Sequence, residues 1–390
     1  MSLQQHDACW HQAIYLTEKL VSIKSTSYFT EKIEVLKFVQ EYLGDTDTQI
    51  ITPTDADPYL ISKLVSQSPE YHVILSGHLD TVAEGTMNSP FTPFTRNGCL
   101  FGRGAVDMKG GCAAMLQALI AFKDNAHRTG NVSLVFTLDE ETSSLSVEHA
   151  IKNEIPKADL AIIGEPSNLS LALSHKGSHW IKVGFQGKSC HASTPLEGQN
   201  AIVMAATFIN RLESFVKQQF ADRRHHLCGL PTLSIGSIQG GGDFPNIVPD
   251  VCEIVIDRRW NPNETTDLIW QDIETIIQEC QEEDPNFSAK ILPENYQSDR
   301  INPPLDFSHQ TEMINRLTKA ISISGIEPVK HQHFGGWSEA ALFEKSGIPA
   351  LIFGPGDVKS AHTLEENIEI KQIVQASKAY YYILQELCAS

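Results

Sequence analysis

The sequence predicts an α/β fold, a mostly parallel sheet covered by helices, with a smaller α+β domain inserted into it. Three observations predict it: short apolar, β-branched runs that recur along the chain, helical periodicity between and after them, and one central stretch with a different rhythm. The runs are 72–77 (HVILSG), 132–138 (VSLVFTL), 159–164 (DLAIIG) and 349–354 (PALIFG), each bounded by turn residues. They are apolar on both faces, as strands of a sheet covered on both sides must be. Between the first two, 108–123 (MKGGCAAMLQALIAFK) carries Met115, Leu119 and Phe122 at helical spacing, and 370–387 is again helical in period.

From about 175 to 291 the pattern changes. Ile181, Val183 and Phe185 alternate with Trp180, Lys182 and Gly184, which is the period of a strand with one exposed face. A helical stretch at 199–220, paired strands at 232–238 and 251–257, a second helix at 265–282 and a short strand at 287–292 complete a split βαβ order. The expected division is therefore 1–175 with 292–390 as the larger, catalytic domain and 176–291 as the insertion.

Composition limits what such a chain can be. Its 390 residues, 41% apolar with 25 glycines and 20% charged, suffice for a packed core and exclude both a disordered chain and a small disulfide scaffold. No run approaches the ~20 consecutive apolar residues of a membrane span. The opening MSLQQHDACWHQ lacks an export pattern, so the expected location is the cytoplasm, with no membrane partner. Eight cysteines without a Cys-x-x-Cys pair fit a reducing compartment and no disulfides. Thirty basic against 48 acidic residues leave a net charge of −18, which disfavours nucleic acid. The expected partner is small and cationic or zwitterionic, or another protein.

The chemistry gathers where strands end. After the first strand comes His78-Leu79-Asp80, whose i, i+2 spacing turns both polar side chains to one side, a possible metal ligand and the carboxylate that orients it. Alone, a His and an Asp two apart at a strand end are more often a surface pair, by roughly four to one. After the second strand comes Asp139-Glu140-Glu141, whose mutual repulsion calls for cations or protons. Glu165 follows the third, His362 follows the fourth, and Asp107 heads the helix within GRGAVDMKGG. That glycine-rich stretch lacks the Gly-Lys-Ser/Thr ending of a phosphate loop and does not fit G-x-G-x-x-G after a strand. Open α/β sheets place their sites outside the carboxyl ends of strands, and two histidines with several carboxylates arrive there together. This inventory exceeds one tetrahedral zinc and suits two metal ions sharing a carboxylate, with Glu140 or Glu141 left over as general base.

In order along nearly the whole chain, SGHLDTV, GRGAVDMKGG, DEET, GEPS and AHTLEE resemble the family of acetylornithine deacetylase, succinyl-diaminopimelate desuccinylase, aminoacylase and glutamate carboxypeptidase, the co-catalytic zinc amidohydrolases. The resemblance implies two Zn²⁺ per subunit, with Co²⁺ as a substitute. Asp107 would bridge them, His78 and Glu165 would complete one site, and Glu141 and His362 the other. It also implies that Asp80 orients His78, that Glu140 is the base, and that the Asp107–Met108 peptide is cis.

In the insertion, GKSCHASTP resembles the family's dimer-domain motif, so His191 would help polarise the substrate carbonyl, reaching into a partner subunit's site of a homodimer. Asn246 and Arg259, 13 apart, match the family's asparagine and its arginine for the substrate α-carboxylate. Arg258 is the alternative, because strand alternation decides which arginine points inward. Gly335-Gly336-Trp337-Ser338-Glu339 resembles the family's substrate loop, with Gly335, Gly336, Ser338 and Glu339 as its binding residues. Cys190 and the bulky Trp337 depart from the family's usual residues. The expected substrate is an N-acyl amino acid, N-acetyl-L-ornithine first, N-succinyl-diaminopimelate or a dipeptide next. The rival classes are a metal-dependent binding protein without turnover and a nucleotide-binding α/β protein.

Overall fold

The computed structural model describes residues 3–27, 32–155, 157–242, 244–293 and 301–389. The chain forms two compact units, 1–174 with 305–390, and 175–304. The sequence places the end of the insertion at 291. The second unit runs on to 304 because Asn302 returns to its first strand, exchanging backbone hydrogen bonds of 2.9 and 3.0 Å with Ser178.

The larger unit is built on one nine-stranded sheet. Its strands run in the order Asp47–Ile51, Tyr59–Leu64, Asn131–Thr137, His72–His78, Leu160–Ile163, Ala350–Ile352, Leu171–His175 and Leu305–Asp306, with His331–His333 also paired to Leu171–His175. The four strands read from the sequence are the central ones and pair in parallel. His78 stands opposite Thr137, Ser76 opposite Ile163 and Ile163 opposite Ile352, so their carboxyl ends are flush. Antiparallel pairing is confined to the flanks, where Asp47–Ile51 and Tyr59–Leu64 form a hairpin on Asn131–Thr137.

Alternation sends successive side chains to opposite faces. Ile74, Val135, Ala161 and Ile163 join a core with Val147 and Ala150 of the Leu145–Asn153 helix and Leu342 and Phe343 of the Ala340–Lys345 helix. The Gly110–Lys123 and Ile370–Cys388 helices pack against the strands and each other, and the Leu3–Ser22 helix packs on both. The 105–123 segment is long and apolar enough to cross a membrane by composition, but 83% of its most apolar stretch is buried inside the protein. It is a core helix, apolar all round because it is covered all round. Its first turn comes so close to the sheet that a Cβ on Gly111 would lie 2.1 Å from the Gly164 carbonyl oxygen.

In the smaller unit, Thr232–Gly240, Val251–Trp260, Gly177–Gln186 and Ala289–Ile291 form an antiparallel sheet in that order. Ile181, Val183, Phe185, Cys252, Ile254 and Ile256 bury one face under the Ala201–Gln219 and Thr266–Glu283 helices. Asn200 caps the first helix by accepting the Ile202 and Val203 N–H groups, and Thr265 caps the second by accepting that of Leu268. A two-stranded ribbon pairs Cys190–His191 with Ile247–Val248.

Candidate metal centre

His78 is the last residue of its strand and is buried. Its Nδ1 lies 3.3 Å from Asp80 Oδ1, and its Nε2 lies 3.1 Å from Asp107 Oδ1, 3.8 Å from Glu165 Oε1 and 4.0 Å from Glu140 Oε2. The buried Asp80 carboxylate also accepts the N–H groups of Glu140 at 3.3 Å and Glu141 at 3.2 Å. One side chain thus orients the imidazole and fixes the acidic turn.

The three consecutive carboxylates of that turn separate by direction. Asp139 points inward, accepting from Ser143 Oγ at 2.8 Å, from Ser146 N–H at 3.1 Å and from Ser146 Oγ, and so anchors the start of the Leu145–Asn153 helix. Glu140 and Glu141 are left to face His78 and His362. The His362 backbone has φ 61°, a left-handed conformation that costs energy for a non-glycine residue and concentrates at functional sites. It brings His362 Nε2 to 3.1 Å from Asp107 Oδ2 and 3.0 Å from Glu141 Oε1. Asp107 lies in a wide turn, 105–109, with its own φ/ψ of −121°/94° outside the helical region, and the Asp107–Met108 peptide is cis.

Two triads result, His78–Asp107–Glu165 and Asp107–Glu141–His362, each with its donor atoms within 4.8 Å of one another and both sharing Asp107. Burial raises Glu165 to about 8, with Asp107 adding to the effect, and raises Glu140 well above the carboxylate range against the pull of His78. Burial acts the same way on Asp107, but hydrogen bonds from His362 and His78 outweigh it and hold that carboxyl below its ordinary value. Hydrogen bonds to Asp107 and Glu141 raise His362 to about 10. Imidazole and carboxylate crowded in a half-buried space, each triad sharing one two-oxygen ligand, is the donor set of a pair of divalent cations.

Residues 74–386 match the family model for peptidase family M20/M25/M40. The chain belongs to that family. It is a metallohydrolase of the amidohydrolase and peptidase type. It is 30% identical over 319 residues to acetylornithine deacetylase of Myxococcus xanthus, covering 80% of each chain. It is 27% identical over 390 aligned positions to a probable succinyl-diaminopimelate desuccinylase of Staphylococcus epidermidis, covering 91% of this chain and 92% of that one. Its fold superposes with a TM-score of 0.72, at 14% identity, on a dinuclear metal binding peptidase of Bacillus subtilis, covering 96% of this chain and 97% of that one.

The other residues singled out in this M20 chain fall into two groups. In the smaller unit, His191 and Asn246, 55 positions apart, come together on the two-stranded ribbon, where Ala192 N–H donates to the Asn246 carbonyl at 2.9 Å. His191 is exposed and its Nδ1 accepts the Ser193 N–H at 3.1 Å. Strand alternation separates the two arginines. Arg258 is buried against Glu264 and over the Phe220 ring, whereas Arg259 is half-exposed and held by Asp257 through 2.7 and 3.0 Å contacts. In the larger unit, Gly335 and Gly336 remain accessible, whereas Ser338 and Glu339 are buried, as His78, Asp80 and Glu165 are. Ser338 Oγ accepts the Ala340 N–H at the head of a short helix. Glu339 is 1% exposed, receives the Thr137 hydroxyl at 3.3 Å, and is raised well above its ordinary range by burial and by Asp139.

Sequence reasoning left out two contributors. Ser27 Oγ reaches Asp80 at 3.4 Å with nothing in its local pattern to mark it. Glu366 accepts the Val106 and Asp107 N–H groups, and its signal was its place in AHTLEE, four residues after His362.

Proposed function

We propose that this chain hydrolyses the amide bond of an N-acyl amino acid, with N-acetyl-L-ornithine as the first substrate to test. The observation that carries the reading is the pair of triads sharing Asp107 with Glu140 beside them. Bound divalent ions, two Zn²⁺ per subunit or Co²⁺ in their place, would supply Lewis acidity toward water and the substrate carbonyl. His78, Asp107 and Glu165 would hold one ion, and Asp107, Glu141 and His362 the other. Asp80 keeps the His78 ring in place through Nδ1. Glu140 takes the proton from the attacking water and passes it to the leaving amine, a role suited to a carboxyl whose proton affinity is raised by burial.

His191, reaching a partner subunit's site in a homodimer, would donate to the developing oxyanion. Arg259 and Asn246 would hold the substrate carboxylate, and Gly335 and Gly336 would border the acyl group. Full turnover by a monomer would remove His191 from this role.

An acidic residue in the substrate loop, Glu339, would suit a substrate that bears an ammonium group. The preference for acetylornithine is supported by the net charge of −18 and by the name of the Myxococcus relative. N-succinyl-diaminopimelate is the second reading, favoured by the more extensive alignment with the Staphylococcus relative, and a dipeptide is the third. Assaying the three side by side with the Zn²⁺-loaded chain tests the order. A kcat/KM highest for acetylornithine supports it, and a higher value for either of the others replaces it.

A further inference from the structure

Glu366 is 1% exposed and grips the loop that carries Asp107. Its Oε1 accepts two consecutive backbone N–H groups, Val106 at 3.1 Å and Asp107 at 3.2 Å. Its Oε2 receives Arg103 Nη1 at 2.7 Å, and Arg103 is itself only 2% exposed. The main-chain carbonyl of Glu366 accepts the Gly102 N–H at 3.2 Å. One residue therefore contacts 102, 103, 106 and 107 in succession.

Two features make this more than a buried ion pair. The held backbone is non-helical at Asp107, so the N–H groups of Val106 and Asp107 would lack this acceptor if the carboxylate were withdrawn, at the cost attached to buried unpaired donors. Glu366 also lies four residues beyond His362, so it ties the segment bearing one triad's histidine to the turn bearing the carboxylate that both triads share.

We infer that Glu366 is a positioning residue for metal binding, whose carboxylate sets the backbone that presents Asp107 and thereby governs the affinity of both ions together. The inference rests on the dinuclear reading above. A purely structural ion pair would change the melting temperature of the metal-free protein and leave the affinities of the folded protein alone. A positioning residue moves the affinities as well, and moves both, because Asp107 belongs to both triads.

The test is titration of metal-free full-length protein with Zn²⁺, followed calorimetrically, for wild type, Glu366→Asp, Glu366→Gln and Glu165→Gln. Glu366→Asp keeps the charge but draws it back by one methylene. It is expected to weaken both ions by roughly 10–100-fold, the usual effect of removing an outer partner of a metal ligand. Glu366→Gln retains an acceptor oxygen for the two N–H groups and is expected to weaken both by less. Glu165→Gln is expected to weaken one ion only. Wild-type affinity for both ions in either folded Glu366 variant, or loss confined to one ion, overturns the inference. If Glu366→Asp does not fold, Glu366→Gln alone decides. Fewer than two equivalents bound by the wild type would instead overturn the dinuclear reading, and this one with it.

Discussion

Of three adjacent acidic side chains, Asp139 builds the turn and Glu140 and Glu141 face the centre, and this division of labour sets what each substitution should do. Glu140→Gln removes a proton acceptor and no member of either triad. Its kcat is expected to fall by about 10²–10⁴-fold with metal content unchanged, measured by kinetics and elemental analysis of the same preparation. The raised proton affinities of Glu165, about 8, and His362, about 10, mean that the metal-free chain carries protons on both at neutral pH. Those protons must leave when a cation binds, so Zn²⁺ affinity is expected to rise with pH, by about tenfold per unit for each proton displaced, through 8 and onward toward 10. Titration in buffers of different ionisation enthalpy reads the protons directly, and a pH-independent affinity would refute the assignment. Strand ends and a glycine-rich turn marked the residues of the two triads as candidates, but position alone left Glu140 and Glu141 open, and the resemblance grouped the ligands. The burial of Ser338 and Glu339 was not legible, because sequence shows that a polar residue is present, not that a fold has closed over it. Glu366 was passed over, although it closes AHTLEE, because its work is done on backbone N–H groups.

The elements that were legible are those with continuous chemistry: four apolar parallel strands, the buried helix after Asp107, and the inward alternation of the smaller unit. The Asp47–Ile51 strand escaped because it is a half-exposed edge strand with no buried side chain, so no apolar run marks it. The glycine pair at 110–111, which resembled a phosphate loop in composition, has a packing cause at its second position. A methyl group at Gly111 meets the Gly164 backbone, and backbone cannot rotate aside. Gly111→Ala is expected to destabilise the larger unit by about 1–3 kcal/mol, the usual cost of overpacking, and to push the helix away from the strand that leads into Glu165. Denaturant unfolding checks the first effect and Zn²⁺ titration the second. An unaltered midpoint would mean that the close approach relaxes without cost.

At the scale of the whole chain, every residue of both triads lies in the larger unit, and the smaller unit contributes none. A ligand that binds the folded state alone stabilises what it binds. Chelation is expected to lower the melting transition of the larger unit while leaving that of the smaller one in place, a difference that calorimetry with and without a chelator resolves. A fall of both transitions by equal amounts would show that the units unfold as one. The extent of the insertion was only partly legible, since the closing segment beyond 291 carries no apolar rhythm and joins the smaller unit through backbone pairing at Ser178.

The strand ending near Ser174 and the strand opening at Leu305 are side-by-side neighbours in the main sheet, with Phe307 N–H donating to the Leu173 carbonyl at 2.7 Å. The polypeptide therefore departs on its long excursion and comes home at almost the same spot, so a bridge of a few residues would suffice to bypass it. Excised in that way, the shortened protein should retain a complete hydrophobic interior and an intact cation cradle, while foreign domains of many sizes could be spliced into the same opening without disturbing the strands on either side.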